Sequence, residues 1–285
     1  MPHNIINEEY TRQIEFAAMV LAKPNFYSEL DIVEHFNVSP QTVRRDAGRL
    51  RNMGILIHSG KRKFEITKCT DETLNHLINT YLALNKYDSI KNFHLIKKRY
   101  GNNTLITFVN ILNAINDKKI LEIVYNWKKL NTFRNEITPI SLTRTGRHVY
   151  LVAMDNDNKA DLKTYLLEKI DRYEILNKKS KVKEYPDISE IFKTSWGIYR
   201  GGKEYNVSLK FNKENGLGIR NKIYIDTQEL IENEDCFILN MKVKLSLEFM
   251  SWVMGWGNRV EVLKPQELKG MIIERATGIL KLYKK

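Results

Sequence analysis

Arg44, Arg45, Arg49, Arg51, Lys61, Arg62 and Lys63 crowd the stretch from Pro40 to Lys63, where Asp46 is the one acid. Arginine forks match phosphate oxygens and the acceptor edge of guanine, while lysines neutralise phosphates as point charges. Gln41 and Thr42 add neutral donors and acceptors of the kind that read base edges. The whole chain of 285 residues carries 46 Lys and Arg against 34 Asp and Glu, a net charge of +12. An excess of that size has two ordinary sources, a nucleic-acid partner or a solvated lysine-rich surface, and placement decides between them.

Those cations need a helix and a turn to hold them in one place. Ser39-Pro40-Gln41-Thr42 sets an N-cap serine before a proline at the first helical position, a strong helix start. Val43, Ala47 and Leu50 then form one apolar stripe; the opposite face carries Gln41, Arg44, Arg45 and Gly48, with Arg49 and Arg51 on its flanks. Upstream, Ile14, Phe16, Ala17, Val20 and Leu21 predict a helix closed by Pro24. Ser28 caps a shorter helix through Leu30, Ile32, Val33 and Phe36 that Asn37 ends. Downstream, Ile55-Leu56-Ile57 and Phe64-Glu65-Ile66 flank Ser59-Gly60-Lys61-Arg62, a β-hairpin with a basic tip. Three helices and a hairpin predict a winged helix-turn-helix over residues 1–68. In that arrangement the third helix enters the major groove and the wing tracks phosphates. Ser39, Gln41, Thr42, Arg44 and Arg45 then stand at the groove, and Arg49, Lys61, Arg62 and Lys63 at the backbone. A merely solvated helix would carry the same charge without this succession of elements. Asp46 is expected to orient Arg45 or another arginine of its own helix.

This first quarter resembles the DeoR-type winged helix-turn-helix through Leu30, Phe36, Val38-Ser39, Thr42-Val43-Arg44-Arg45-Asp46, Leu50 and Gly54-Ile55. From Cys69 to Asp117 the apolar spacing is helical, in Leu74, Leu77, Ile78, Tyr81 and Leu84 and again in Leu105, Ile106, Val109, Leu112 and Ile115. This connector, 69–117, either pairs across a two-fold axis or packs only on its own chain. From Lys118 the period becomes two. Strands are expected at Ile120 to Tyr125, Thr132 to Ile137, Val149 to Met154 and Tyr165 to Leu167, in a strongly bent sheet or barrel. Here the sequence resembles the WYL domain, by Tyr125, Arg134, Pro139, Gly146-Arg147 and Val149-Tyr150-Leu151, with valine in place of the name-giving tryptophan. Trp196-Gly197-Ile198-Tyr199 and Gly201-Gly202 look like the segment closing that domain, which gives it the bounds 118–202.

The remainder, 203–285, alternates at Tyr205 to Phe211, Ile223 to Ile225 and Phe237 to Val243, followed by amphipathic stretches Leu247 to Trp256 and Gln266 to Tyr283. An α/β sandwich is expected, with Trp252 and Trp256 on one helical face in core or dimer-interface packing rather than as a base-stacking platform. Through Trp252, Gly257, Val260-Glu261-Val262-Leu263, Pro265 and Leu268 it resembles the WCX extension of WYL regulators. The resemblances together imply an α+β multidomain chain with an Sm-like β-barrel in the WYL domain. They also imply a homodimeric transcription factor acting on a pseudo-palindromic double-stranded operator as a repressor, several regulators of this build repressing phage-defence loci such as BREX or CBASS. The family's effector strand corresponds to Leu166-Leu167-Glu168-Lys169-Ile170, where leucine and lysine replace two arginines. Arg134, Arg144, Arg147, His148, Tyr150 and Lys169 remain as candidates for a nucleic-acid or nucleotide effector; the alternative is a mainly structural barrel. Other readings are a single-stranded-nucleic-acid-responsive activator and an RNA-binding accessory protein.

Catalytic patterns are missing from the sequence: no Walker-type loop, no Gly-x-Ser-x-Gly elbow, no His-Glu-x-x-His helix, and Gly216-Leu217-Gly218 lacks a third glycine. Asp155 to Asp161 imitates a calcium loop but has no glycine at its sixth position and Leu166 where the bidentate glutamate belongs. Cys69 and Cys236 stand apart from any metal-ligand spacing. The expectation is therefore no enzyme, no cofactor and no metal. With no run near the roughly 20 apolar residues of a membrane span and no secretory leader at Met1-Pro2-His3-Asn4, a cytoplasmic protein is expected.

Overall fold

The computed structural model describes residues 2–60, 62–128, 131–155, 162–180, 182 and 184–284. It divides into two compact units, residues 1–183 and 184–285. In the first, α1 (Pro2–Ala22) buries Ile14, Phe16, Ala17 and Val20 and ends before Pro24. The second helix, α2 (Glu29–Phe36), opens with a reciprocal capping box: Ser28 Oγ accepts from the Asp31 amide, and the Asp31 carboxylate accepts from the Ser28 amide at 2.6 Å. Hydrogen bonding by the Ser28 amide, and then by its hydroxyl, holds the Asp31 carboxyl below its ordinary range. Asn37, in the left-handed region at φ 50°, closes the helix and turns the chain into α3 (Pro40–Asn52). Strands β1 (Leu56–Gly60) and β2 (Lys63–Lys68) form the antiparallel wing, and Arg62 sits at its tip with φ 67°. The Phe64 amide donates to Tyr27 O at 2.8 Å and the Asn25 amide to Phe64 O at 2.9 Å, so the wing is tied to the chain entering α2.

The stretch after the wing is helical, as its spacing predicts: α4 (Asp71–Leu84), α5 (His94–Tyr100) and α6 (Thr104–Asn116). Leu105, Phe108, Val109, Ile111, Leu112 and Ala114 of α6 are all buried, and the helix packs on α1, α4 and the following sheet. Buried Tyr81 of α4 donates from its hydroxyl to Glu15 of α1 at 2.7 Å, and Asn113 of α6 donates to the same oxygen at 3.0 Å. Burial pushes the Tyr81 hydroxyl well above the ordinary tyrosine range, so it remains a donor.

Strands β3 (Lys119–Lys128), β4 (Asn131–Thr145), β5 (His148–Asp155), β6 (Leu162–Leu166) and β7 (Ile170–Lys179) build an antiparallel sheet in the order β6-β5-β4-β3-β7. Among the described residues the ladder runs from β6 to β7 without a closing pair. The fourth strand is longer than the expected Thr132 to Ile137, because its ladder shifts between Pro139 and Ser141 and passes the proline at a bulge. Leu167–Lys169 is a tight 3-10 turn, not the strand expected across Leu166 to Ile170. Tyr100 Oη fastens this turn by donating to Leu167 O at 3.0 Å and Ile170 O at 2.7 Å. One hydrophobic core runs from Ile14 through α3, α6 and this sheet to Ile170.

The second unit contains α7 (Ile188–Phe192), β8 (Glu204–Asn212), α8 (Lys213–Gly216), β9 (Glu229–Glu232), β10 (Cys236–Lys244), α9 (Leu247–Gly255), β11 (Val260–Lys264) and α10 (Gln266–Tyr283). Its antiparallel sheet has the order β11-β8-β10-β9, the split β-α-β arrangement. Ile223 to Ile225 is irregular chain leading into a turn at Asp226 and Thr227, not the expected strand; the edge of the sheet is Glu229–Glu232 instead. Gln228 causes the difference, since its side chain accepts from the Tyr224 and Ile225 amides and donates to Lys222 O. Trp196, expected to close the WYL domain, lies in this unit with its ring 4.9 Å from Phe249 and 4.8 Å from Trp252.

Candidate nucleic-acid interface

Capping fixes the start of α3. Ser39 Oγ accepts from the Thr42 amide at 3.1 Å and lies 3.0 Å from Thr42 Oγ1, so both hydroxyls are engaged at the start of α3. Val43, Ala47 and Leu50 are buried, which leaves Gln41, Arg44 and Arg45 exposed on the opposite face. Lys63 and Arg62 are exposed on the wing, and Lys61 lies outside the described residues. The ammonium of Lys63 sits 5.7 Å from the ring centre of exposed Phe26, beside Lys23 at 5.0 Å. Helix α3 and the described part of the wing thus both carry exposed cations.

The arginines already have partners. Arg44 makes a bidentate pair with Glu29 of α2, at 3.0 and 2.9 Å. Arg45 and Arg49 share Glu9 of α1, one on each carboxylate oxygen. The Arg49 hydrogen bond holds the Glu9 carboxyl below the ordinary glutamate range, and Glu29 and Glu9 raise Arg44 and Arg49 in turn. Exposed ion pairs of this kind are screened by solvent and contribute little, so a phosphate competes with them readily. Neither glutamate was legible as a partner: the pairs span 15, 36 and 40 residues, and no local spacing signals them.

Asp46 departs from expectation. Its carboxylate is buried and accepts from Arg12 Nε at 2.7 Å and Gln13 Nε2 at 2.9 Å, both on α1. It orients no arginine of its own helix; it clamps α3 to α1.

In the five-stranded sheet, His148 and Tyr150 stand two apart on β5 with ring centres 6.3 Å apart. His148 Nδ1 lies 2.5 Å from Glu168 Oε1, next to exposed Lys169 on the 3-10 turn. Glu168 Oε2 is buried with no hydrogen-bond partner among the described residues. Arg147 is exposed at the β4–β5 turn, whereas Arg144 bends back to Gly146 O and Ser89 O. Arg134 is separate: it pairs with Glu122 across the β3–β4 ladder, ten positions along β4 from Arg144. Sequence reasoning missed Glu168 and also Tyr125, whose hydroxyl accepts from the Leu166 amide and whose ring meets Tyr165 at 5.2 Å. Asp155 of the false calcium loop pairs with Lys163, and Asn156 to Asp161 lie outside the described residues. Among the described residues no cluster of His, Cys, Asp or Glu is placed to hold a metal, and no helix is long and apolar enough to cross a membrane.

Comparison with protein families matches residues 17–60 to the DeoR-like helix-turn-helix domain, 107–175 to the WYL domain and 203–280 to the WCX domain. The chain is a WYL-domain protein, with a DeoR-like helix-turn-helix before that domain and a WCX domain after it. Helix α3 falls inside the first match. Two solved structures align over 96% of the chain. Proteasome accessory factor B/C (PafBC) of Arthrobacter aurescens aligns at 12% identity and TM-score 0.28, with 54% of that chain covered. A CRISPR Cas-related protein aligns at 12% identity and TM-score 0.42, with 86% covered. The chain spans about half the length of the PafBC chain, and neither likeness is strong enough to carry an argument about function. No curated protein matches the sequence.

Proposed function

We propose that the protein is a DNA-binding transcription regulator, a cytoplasmic homodimer that binds a pseudo-palindromic operator and represses transcription, with phage-defence genes as its targets. The observation that carries the DNA contact is the exposed row Gln41, Arg44 and Arg45 at the N-terminal half of α3, opposite the buried Val43–Leu50 stripe and beside the basic wing. On this reading Gln41, Thr42, Arg44 and Arg45 reach base edges, Ser39 fixes the helix start, and Arg49, Lys61, Arg62 and Lys63 hold phosphates. Support for pairing comes from α10, where Ile273, Ile279, Leu280, Leu282 and Tyr283 are exposed. The four-part division at 68, 117 and 202 and an Sm-like barrel for the five-stranded sheet belong to the same reading.

The test is operator binding by Arg44→Ala and Arg45→Ala proteins. Each loss is expected to cost about 1–3 kcal/mol and to relax preference at one base position. Unchanged affinity and preference in both would overturn the docking. Competition between duplex DNA and RNA of the same sequence separates this reading from an RNA-binding accessory role.

A specific observation favours an effector as well. His148, Tyr150 and Glu168 converge at the end of β5, with a buried carboxylate oxygen that lacks a donor among the described residues. A base amino group supplies such a donor, and Arg147 and Lys169 stand near in the chain for its phosphate. Arg134 and Arg144 are the weaker members, being held by Glu122 and by backbone carbonyls. Binding changes operator affinity only through different affinities for two arrangements of the reading heads, and its sign decides between repressor and single-strand-responsive activator. Unchanged oligonucleotide affinity in Tyr150→Ala and Arg147→Ala proteins would remove this site.

A further inference from the structure

The second unit carries an open surface groove of about 400 Å³ at the end of α9, lined by Lys222, Tyr224, Trp252, Gly255, Trp256 and Arg259. We propose that it binds an aromatic base bearing a phosphate. Trp252 and Trp256 are one helical turn apart, and the turn before β9 brings Tyr224 to 4.9 Å from Trp252, ring centre to ring centre. That turn is fixed from beneath by buried Ile225 and by the three hydrogen bonds of Gln228. Trp252 is itself backed by Trp196 and Phe249. Trp256 stands nearly perpendicular to it, at 81°, with Phe211 at its other side. The rings are therefore held from behind while Tyr224, Trp252 and Trp256 each remain half-exposed toward the groove.

Charge selects the ligand. Lys222 and Arg259 are exposed, and neither has an acidic partner among the described residues, in contrast to Arg44, Arg45 and Arg49. Arg259 Nε donates to Trp256 O at 3.2 Å and its guanidinium lies 5.9 Å from the Trp256 ring centre, which leaves its terminal nitrogens for an anion. An aromatic box alone also suits a quaternary ammonium, but two unpaired cations in the lining repel one. Rings that stack a π-face and cations that hold a phosphate meet together in a nucleotide. A groove of this size falls in the ordinary range for small-molecule sites, roughly 300–1,000 Å³. At Gly255 a Cβ would meet nothing within 4 Å, so that wall is open, and a strand end enters as readily as a free nucleotide.

Tryptophan fluorescence of the full chain reports on this site, since Trp196, Trp252 and Trp256 are three of its four tryptophans. Titration with adenosine monophosphate is expected to quench it saturably, with adenosine weaker by about tenfold for want of the phosphate. In a protein carrying both Lys222→Ala and Arg259→Ala, exposed positions that spare the core, the monophosphate falls to the level of adenosine. Tyr150→Ala leaves the titration unchanged, which keeps this site distinct from the β5 cluster. A 5′-phosphorylated tetranucleotide about tenfold tighter than the monophosphate assigns the natural ligand to a strand end; equal affinity assigns it to a free nucleotide. No saturable quenching by either probe, or an unaltered titration in the double variant, would overturn the proposal.

Discussion

Asp46 follows two arginines yet serves neither, because its carboxylate is buried and turned toward Arg12 and Gln13 of α1. Removing one member of a buried, hydrogen-bonded ion pair leaves the other uncompensated, so Asp46→Ala is expected to destabilise the first unit by about 3 kcal/mol. Urea denaturation measures it, and a change below about 0.5 kcal/mol would mean that surface-like solvation, not the clamp, governs the site. Glu9 behaves oppositely. It is partly exposed and holds Arg45 and Arg49 away from other anions, so Glu9→Gln alters stability little while tightening binding to duplex DNA of any sequence and steepening its salt dependence. Acid mimics the substitution. A carboxyl held below its ordinary range stabilises the pair above that range and loses the contribution as pH falls through its lowered value, so acidification should narrow the difference between the two proteins. A filter-binding series over pH and salt in both proteins follows this, and a Glu9→Gln protein with weaker duplex binding would contradict it.

At the scale of elements, the parts with local chemical punctuation were legible. Ser28 and Ser39 announce α2 and α3, Asn37 supplies the left-handed stop between them, and Ser59-Gly60 marks the wing. Elements fixed by distant side chains were not legible. The 3-10 turn after Leu166 depends on Tyr100, 67 residues away in its bond to Leu167, and alternation alone made that stretch a strand. Ile223 to Ile225 looks β-branched and aromatic, but Gln228 takes the amides that a ladder would use. The wing is set by both local and tertiary bonds, and its cations face no acid on their own strands at the tip. Lys63→Ala is therefore expected to weaken specific and nonspecific duplexes alike and to lower the slope of log affinity against log salt by about one unit. A loss confined to the operator would instead make Lys63 a base reader.

For the molecule as a whole, the count of 46 basic residues overstates what is available to DNA, since Glu9 and Glu29 already answer three of the arginines of α3. Hydrophobic patterning located the helices, but it did not reveal that reading head, connector and WYL sheet share one core; that depends on the all-round burial of α6. The second core, from Val207 to Leu268, is closed within residues 184–285. Each unit thus contains the apolar contacts it needs. A fragment ending at Lys183 is expected to melt cooperatively and to keep the helix content of α1 to α6, as circular dichroism would record. If α10 supplies pairing, the same fragment is monomeric and loses the second reading head, and operator affinity falls by a factor on the order of 10² or more while a single half-site is bound as before. Sedimentation of the fragment and titration of full and half operators separate the outcomes. A folded fragment that still dimerises and binds the full operator undiminished would place pairing within the first unit and remove α10 from that role.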